Sequence, residues 1–517
     1  MEYKAIKLHT AFFRESRTCY TLEDFNKKLG LKDIEKAKKI VAALKRTGIA
    51  KAVKKSEFNL EMLNDSEEDY IITDDISTNS DIGYVLNYVG FAFNDDCLIK
   101  CYPKYIDDKF NSEDEAKEKI ENHFKTVLKV IRRINAKEEH IHLYNGQEDS
   151  KVFNRLAVAL YLLDDYYANG LYSNLETIIE TNGDGEIDWD KTINETFAIL
   201  KNNKPYYVEL QTINTQSNEF DYFKLLHECV LTTCSQELEK AGILELFDMP
   251  PVEITNLQLN DFGDVDYIKY RLEKEIQNQF ISKKQTLLKT IYTFIAETKS
   301  NQIDDSVSLF GTNAFNMVWE KICGETFDNV RDYKLSKLTP FIGEIKEKYN
   351  KNNTLKDLIE NAKWWFNEKA IETSKTLEPD ILRISNNGSR NFYVLDAKYY
   401  YFVLQNENIY HQPGIQDVVK QFAYEKAFSK FLTDYNFQGI ANAFLIPKKT
   451  SNTSDKKIEN IGKVTLDFIQ YYALKKLADI QLIEIEPEFI YKLYLDNKKI
   501  EDMSYIEVEK FVSDLNE

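Results

Sequence analysis

The chain has 517 residues, 43% hydrophobic and 29% charged, with a net charge of −18. That balance describes a globular rather than disordered protein of roughly two to four domains and argues against a uniformly DNA-coating protein. No apolar run is long enough to span a bilayer, MEYKAIKLHT lacks the apolar core of a secretory signal, and none of the six cysteines forms a Cys-x-x-Cys pair, so a cytoplasmic protein with reduced thiols and no membrane partner is expected.

The average charge hides an asymmetry. Met1–Lys55 carries 15 Lys/Arg against 6 Asp/Glu, a local balance of +9 ahead of a strongly acidic body. Within it, Thr21 followed by Asp24 predicts a capped helix through TLEDFNKKLG. Asp33 opens a second helix, with Ile40, Val41 and Leu44 on one stripe, which ends at Gly48. IAKAVKK then reads as a short strand. Residues 1–57 therefore resemble a winged-helix module, which fits contact with DNA backbone and protein docking equally.

Residues 58–300 read as a mixed α/β central domain. The stretch 57–81 is acidic and linker-like, and YVLNYVGFAFNDDCLIKCYPKYI is strand-rich with its turn at Asn94-Asp95-Asp96. Helices are expected at Ser112–Ala136, Val152–Tyr167 and Tyr222–Leu246, with a long charged one across Asp264–Thr298. His140 and His142 form an H-x-H that reads as a packed or solvated pair rather than a metal site. Asn182, Asp184, Gly185 and Ile187 start like a calcium loop, but the twelfth position is Lys191 where a bidentate carboxylate is needed. A loop or hairpin is the better description. No G-x-x-x-x-G-K-[ST] loop occurs, so nucleotide hydrolysis by this chain alone is not expected.

Chemistry concentrates in EPDILRISNNGSRNFYVLDAKY, residues 378–399. Ile381–Ile384 and Phe392–Tyr399 read as strands joined by a turn containing Asn-Asn-Gly. Asp396 and Lys398, two apart, share a strand face, and a hairpin brings Asp380 opposite Asp396. Two carboxylates and an ammonium then converge. That set suits Mg²⁺, with Mn²⁺ as a substitute, and hydrolysis of a phosphodiester. A surface salt bridge is the bland alternative, but the apolar run Phe392–Leu395 predicts a buried strand where unpaired charge is costly.

Around this hairpin the expected order is a helix at Thr312–Phe327, a helical region at Thr354–Ile371, the hairpin, a helix at Gly414–Phe431, and strands at 439–447, Val464–Ile469 and Ile480–Ile485. Helix, strand, strand, helix, strand resembles the core order of the PD-(D/E)XK nucleases, with residues 301–517 as the domain. The resemblance implies Asp380 and Asp396 as metal ligands, Lys398 assisting the attacking water, and Glu320 as the supporting acid and further ligand from the first helix. Lys420 and Gln421 match polar residues that such nucleases turn toward the site or the DNA. Related nucleases carry Q-x-x-x-Y where this chain has Gln421-Phe-Ala-Tyr424, one residue shorter.

YVGFAFNDDCLIKCYPKYI, GEIDWDKTI, FNMVWEKICGETF, PDILRI, FYVLDAKYY and PGIQDVVKQFAYEKAF together resemble the LlaJI-type restriction endonuclease subunits, relatives of McrC. The resemblance covers about residues 80–517. It implies a subunit of a restriction (phage-defence) system that cuts double-stranded DNA while docked on an McrB-like AAA+ GTPase or ATPase. Two other readings stay open: a self-sufficient sequence-specific type II restriction endonuclease, and a non-catalytic activator of an AAA+ GTPase.

Overall fold

The computed structural model describes residues 9–55, 81–94, 97–106, 113–135, 155–217, 221–240, 242–296, 308–366, 368–372, 376–386, 388–405, 408–450, 454–470 and 477–511. The chain forms two compact units, residues 1–152 with 309–517, and residues 153–308. This differs from the division into 1–57, 58–300 and 301–517. The first 152 residues pack with the carboxy-terminal part instead of standing ahead of it. The fold is a mixed α/β multidomain one.

In the first unit, β1 (His9–Arg14) is followed by α1 (Leu22–Leu29), α2 (Ile34–Arg46) and β2 (Ala50–Lys54). Thr21 and Asp24 form the expected capping box, and Gly30 ends α1 in the left-handed conformation. Ile40, Val41 and Leu44 bury one face of α2. Next come β3 (Ile82–Leu86), β4 (Val89–Asn94), β5 (Cys97–Tyr102) and α3 (Glu113–Asn135). β2 pairs antiparallel with β3. β1, by contrast, joins β5 and β4 in a four-stranded sheet whose edge is β11 (Ser308–Thr312). A side chain on Gly90 of β4 would collide with the Phe310 carbonyl of β11, so glycine permits the close approach that ties early residues to late ones. Asp95-Asp96, residues 57–80 and His140/His142 lie outside the described residues.

The second unit holds α4 (Arg155–Asn169), β6 (Leu175–Thr181), β7 (Glu186–Ile187), α5 (Trp189–Glu195), β8 (Ala198–Lys201), β9 (Lys204–Tyr207), β10 (Gln211–Ser217), α6 (Tyr222–Lys240), α7 (Ile243–Leu246), α8 (Val265–Asn278) and α9 (Ser282–Ala296). The calcium-like stretch is spent on local structure: Asn182 Oδ1 accepts the Leu210 N–H, and Asp188 caps α5 through the Lys191 N–H. The single long helix expected at 264–298 is two helices. Gln279 turns to extended geometry, and its side chain accepts the Ile281 N–H, which closes the break.

Returning to the first unit, β11 leads into α10 (Phe315–Thr326), α11 (Thr339–Ile342), β12 (Lys363–Phe366), β13 (Lys369–Glu372), β14 (Ile381–Ser385), β15 (Asn391–Ala397), β16 (Val403–Gln405) and β17 (Asn408–Tyr410). The chain continues through α12 (Ile415–Asp434), β18 (Gly439–Pro447), β19 (Ile458–Val464), α13 (Asp467–Gln470), β20 (Ile480–Ile485), α14 (Pro487–Leu495) and β21 (Glu509–Lys510). The helical reading of Thr354–Ile371 was wrong. Apart from one short 3-10 turn, that region forms the β12–β13 hairpin, since Trp364, Trp365 and Phe366 favour extended backbone. The strand expected at Val464–Ile469 ends at Val464 and gives way to α13.

The central sheet has the order β14-β15-β18-β20-β19, with β21 added beside β18. β14/β15 and β19/β20 are antiparallel, whereas β15/β18 and β18/β20 are parallel. Every residue of β18 is buried, as parallel central strands require. α12 covers one face, packing Tyr424, Phe428 and Phe431 against Leu382, Ile384, Phe392 and Val394. Among the described residues no helix is long and apolar enough to cross a membrane.

Candidate active site

The site starts from strand alternation. Leu382 and Ile384 of β14, with Phe392 and Val394 of β15, enter the core under α12. The next same-face positions toward this end of the hairpin are Asp380 and Asp396. The register pairs Ile381 with Leu395, so Asp380 falls opposite Asp396 one step beyond the last pair. The Ala397 N–H donates to Asp380 Oδ2 at 3.0 Å.

Asp396 is 5% exposed. Burial, and then the hydrogen bond and charge of Asp380, hold its carboxyl well above the usual carboxylate range despite the opposing pull of Lys398. Lys398 Nζ lies 3.1 Å from Asp396 and 3.2 Å from Asp417 at the start of α12. Burial alone would lower its pKa, but Asp396 and Asp417 outweigh that effect and keep Lys398 an ammonium. The Lys398 N–H continues the sheet by donating to Leu445 O of β18 at 2.9 Å.

Glu320 approaches from α10. That helix is anchored by the buried Trp319, whose Nε1 donates to Leu445 O at 3.0 Å. Burial raises the Glu320 pKa; Arg331 opposes the shift, Asp396 adds to it and Lys398 opposes it, which places Glu320 in the field of the motif. Among the described residues, however, no three Asp, Glu, His or Cys side chains are gathered closely enough to hold one cation.

The two residues expected from α12 part company. Lys420 is exposed. Gln421 is fully buried and donates through Nε2 to Val394 O at 3.1 Å, so it braces the motif strand and does not face DNA. The side chain of Tyr424 donates to Glu378 O at 2.8 Å, which braces the segment entering Pro379-Asp380. The shortened spacing still delivers both side chains to the motif backbone.

Sequence reasoning missed three supporting groups. Asp417 is the second carboxylate on Lys398, and Tyr400 Oη donates to it at 3.4 Å. Asn329 donates to Asp380 O at 2.8 Å and accepts the Leu382 N–H at 3.0 Å, closing the start of β14. Arg331 donates to Pro379 O at 3.2 Å and Asp380 O at 3.4 Å. Asn329 and Arg331 lie in an irregular segment with no periodicity to flag them; Asp417 is only an ordinary first-turn helix acid until the fold sets it against Lys398.

The sequence model of the LlaJI restriction endonuclease family matches residues 88–340 and 345–488. The type II restriction enzyme BsuMI component YdjA of Bacillus subtilis (strain 168) is 28% identical over 438 residues, which cover 84% of this chain and 84% of that protein. Among solved structures, the half-complex from a tetradecameric assembly of Thermococcus gammatolerans McrB AAA+ hexamers with bound McrC aligns over 94% of this chain and 99% of that one, at 11% identity and a TM-score of 0.40.

Proposed function

The chain belongs to the LlaJI restriction endonuclease family, and from that premise we propose that it is the DNA-cutting subunit of a restriction system, hydrolysing phosphodiester bonds of double-stranded DNA at Asp380, Asp396 and Lys398. The observation that carries this reading is the buried Asp396 paired with the half-buried Asp380, with Lys398 fixed between Asp396 and Asp417. The antiparallel β14/β15 hairpin continued by parallel β18, with α12 between them in sequence, supports a PD-(D/E)XK fold. The two helices and β2 within residues 1–57, with β3 (Ile82–Leu86) paired to β2 from beyond that range, support a winged-helix-like module.

A divalent metal fits the donor set. Two oxygen-only carboxylates in contact at a buried position repel each other, and a proton or a hard cation must offset them. Asp380 and Asp396 are the residues that would hold Mg²⁺ or Mn²⁺, and the ion would supply Lewis-acid polarisation of the phosphodiester. Lys398 stays protonated, so its role is to donate hydrogen bonds to the water or the phosphate oxygens and to offset developing negative charge. Asp417 aims that ammonium. Asn329 and Gln421 keep the carboxylate pair and its strands in place, and Glu320 is the supporting acid and further ligand that the family resemblance implies.

The family resemblance supports a separate AAA+ GTPase or ATPase as partner, docked through the part of residues 58–300 that forms the second unit. The second unit supports this independently: Phe197, Leu200 and Val208 are 94%, 74% and 66% exposed around the β8–β9 hairpin, an apolar surface suited to a protein partner. Plasmid cleavage in Mg²⁺, by the purified chain alone and then with the AAA+ protein encoded beside it plus GTP or ATP, tests the reading. Cutting only in the mixture, lost in Asp396→Ala, is expected. Cutting by the chain alone makes it a self-sufficient endonuclease. No cutting, with NTPase stimulation that survives loss of Asp380, Asp396 and Lys398, makes it a non-catalytic activator.

A further inference from the structure

Directly after Lys398 the chain runs Tyr399-Tyr400-Tyr401, and four cations converge on it. The Arg14 and Arg17 guanidinium carbons lie 5.1 Å and 4.1 Å from the Tyr401 ring centre, and Lys449 Nζ lies 4.3 Å from it. Lys104 Nζ lies 4.6 Å from the Tyr399 ring centre. Arg17 also donates to Tyr401 O at 2.7 Å. Such a concentration of positive charge, in a chain of net charge −18, sits three residues beyond the lysine of the hydrolytic motif. By chain reach that is within about 11 Å, a distance spanning only a few phosphates of a duplex.

The cluster has a rigid base. Arg14 Nε and Nη2 both donate to Lys104 O, at 3.1 Å and 2.6 Å. The buried Glu15 accepts the Tyr399 hydroxyl at 2.5 Å and the Lys104 N–H at 3.1 Å. Arg14, Glu15 and Lys104 are each less than a tenth exposed, whereas Arg17, Tyr401 and Lys449 are half-buried and reach solvent. The buried members lock β1, the end of β5 and the segment after β15 together, and the outer members place two cations around the Tyr401 ring. A planar guanidinium beside a flexible ammonium is the pairing that grips a phosphodiester backbone, the first by its fork of donors and the second as a point charge.

We propose that Arg17 and Lys449 form a phosphate-binding subsite that holds the DNA backbone beside the scissile bond. It is built jointly by the segment after β1 and the segment after β18, on either side of the tyrosines that follow the motif. This inference rests on the nuclease reading above and adds the substrate contacts to it. The amino-terminal residues thus complete the cutting site, whatever else the basic helices behind them do.

The test is DNA binding by the full-length chain in EDTA, so that nothing is cut, using a 30-base-pair duplex titrated from about 50 to 200 mM salt, the range over which phosphate contacts register. Arg17→Ala and Lys449→Ala are each expected to bind roughly 3- to 10-fold more weakly, with the slope of log affinity against log salt reduced by about one. Arg17→Lys keeps the charge and is expected to keep the slope, which a merely structural role for Arg17 does not predict. Unchanged affinity and slope in both alanine variants, or no duplex binding by the wild-type chain, overturns the subsite. Cleavage assayed in parallel keeps the two readings apart. Loss of slope in the variants of a chain that never cuts sinks the nuclease reading and leaves the subsite standing. A cutting wild type with unchanged slopes does the reverse.

Discussion

Asp380 and Asp396 face each other across the first hairpin of the central sheet, with Asp380 Oδ2 held by the backbone N–H of Ala397 at 3.0 Å. The buried Asp396 carboxylate beside the half-buried Asp380 costs stability beyond what Lys398 offsets. Without a divalent metal, Asp396→Asn is therefore expected to raise stability by about 1–3 kcal/mol while abolishing cleavage. Mg²⁺ at a hundredfold excess over its dissociation constant should stabilise the wild type by about 2.7 kcal/mol and leave Asp396→Asn unmoved. Thermal unfolding with and without Mg²⁺ decides it, and equal Mg²⁺ shifts in both proteins would falsify the assignment of the pair.

Asp417 is expected to act through Lys398. Asp417→Asn removes one of the two carboxylates that fix the ammonium, 3.2 Å away, without touching the aspartate pair. Cleavage should fall by about 10- to 100-fold, the usual cost of losing such a support, with the Mg²⁺-induced thermal shift retained. Wild-type turnover in Asp417→Asn would remove it from the site.

Gln421 and Lys420 are neighbours with opposite predicted fates. Gln421→Ala leaves the Val394 carbonyl without its side-chain partner and opens a cavity under the motif strand, so a loss of about 2–4 kcal/mol and weaker cutting are expected. Lys420→Ala, on the exposed side of the same turn, should stay within about 0.5 kcal/mol of wild type. Denaturant unfolding of the two variants side by side checks the pair; similar stability losses in both would contradict the burial of Gln421.

Glu425 supplies the pH dependence. Burial is the main cause that pushes its carboxyl up to about 7, only partly offset by the Ala478 N–H and the Asn442 amide. Because the folded state binds the proton more tightly than the unfolded chain, protonated Glu425 contributes stability that is fully present below about pH 4.5 and lost as pH rises through about 7. Glu425→Gln stays neutral throughout. Its stability relative to wild type should therefore climb by about 3 kcal/mol between pH 4.5 and 8. A pH-independent difference would mean that Glu425 is charged in the folded protein throughout.

Much of the site could be read from residue order. The Asn-Asn-Gly turn and the β-prone runs on either side predict the hairpin, and period-two alternation puts Asp396 and Lys398 on one face, as β14 and β15 bear out. The helix boundaries near Thr21, Asp33 and Gly414 were equally legible, because capping and helix-starting residues act over three or four positions. The run Trp364–Phe366 within Thr354–Ile371 is compatible with either period, and only cross-strand pairing with Lys369–Glu372 makes it a hairpin.

What the sequence by itself determined is the local chemistry: two carboxylates and a lysine on adjoining strands, a buried strand to carry them, and capped helices with known inward faces. Contacts within a few residues suffice for each of these. Only the tertiary structure decided that Asp417 and Gln421 contact the motif, that Glu320 lies in the field of Asp396 and Lys398, and that Arg14–Arg17 packs beside Tyr401, nearly four hundred positions away. Those relations depend on which strands become neighbours. β1 joins β5 and β4, β4 joins β11, and the chain from β11 runs on into α10 and the sheet that carries the motif. Strand pairing of this kind is fixed by burying whole faces together, and no short-range pattern of residues records it.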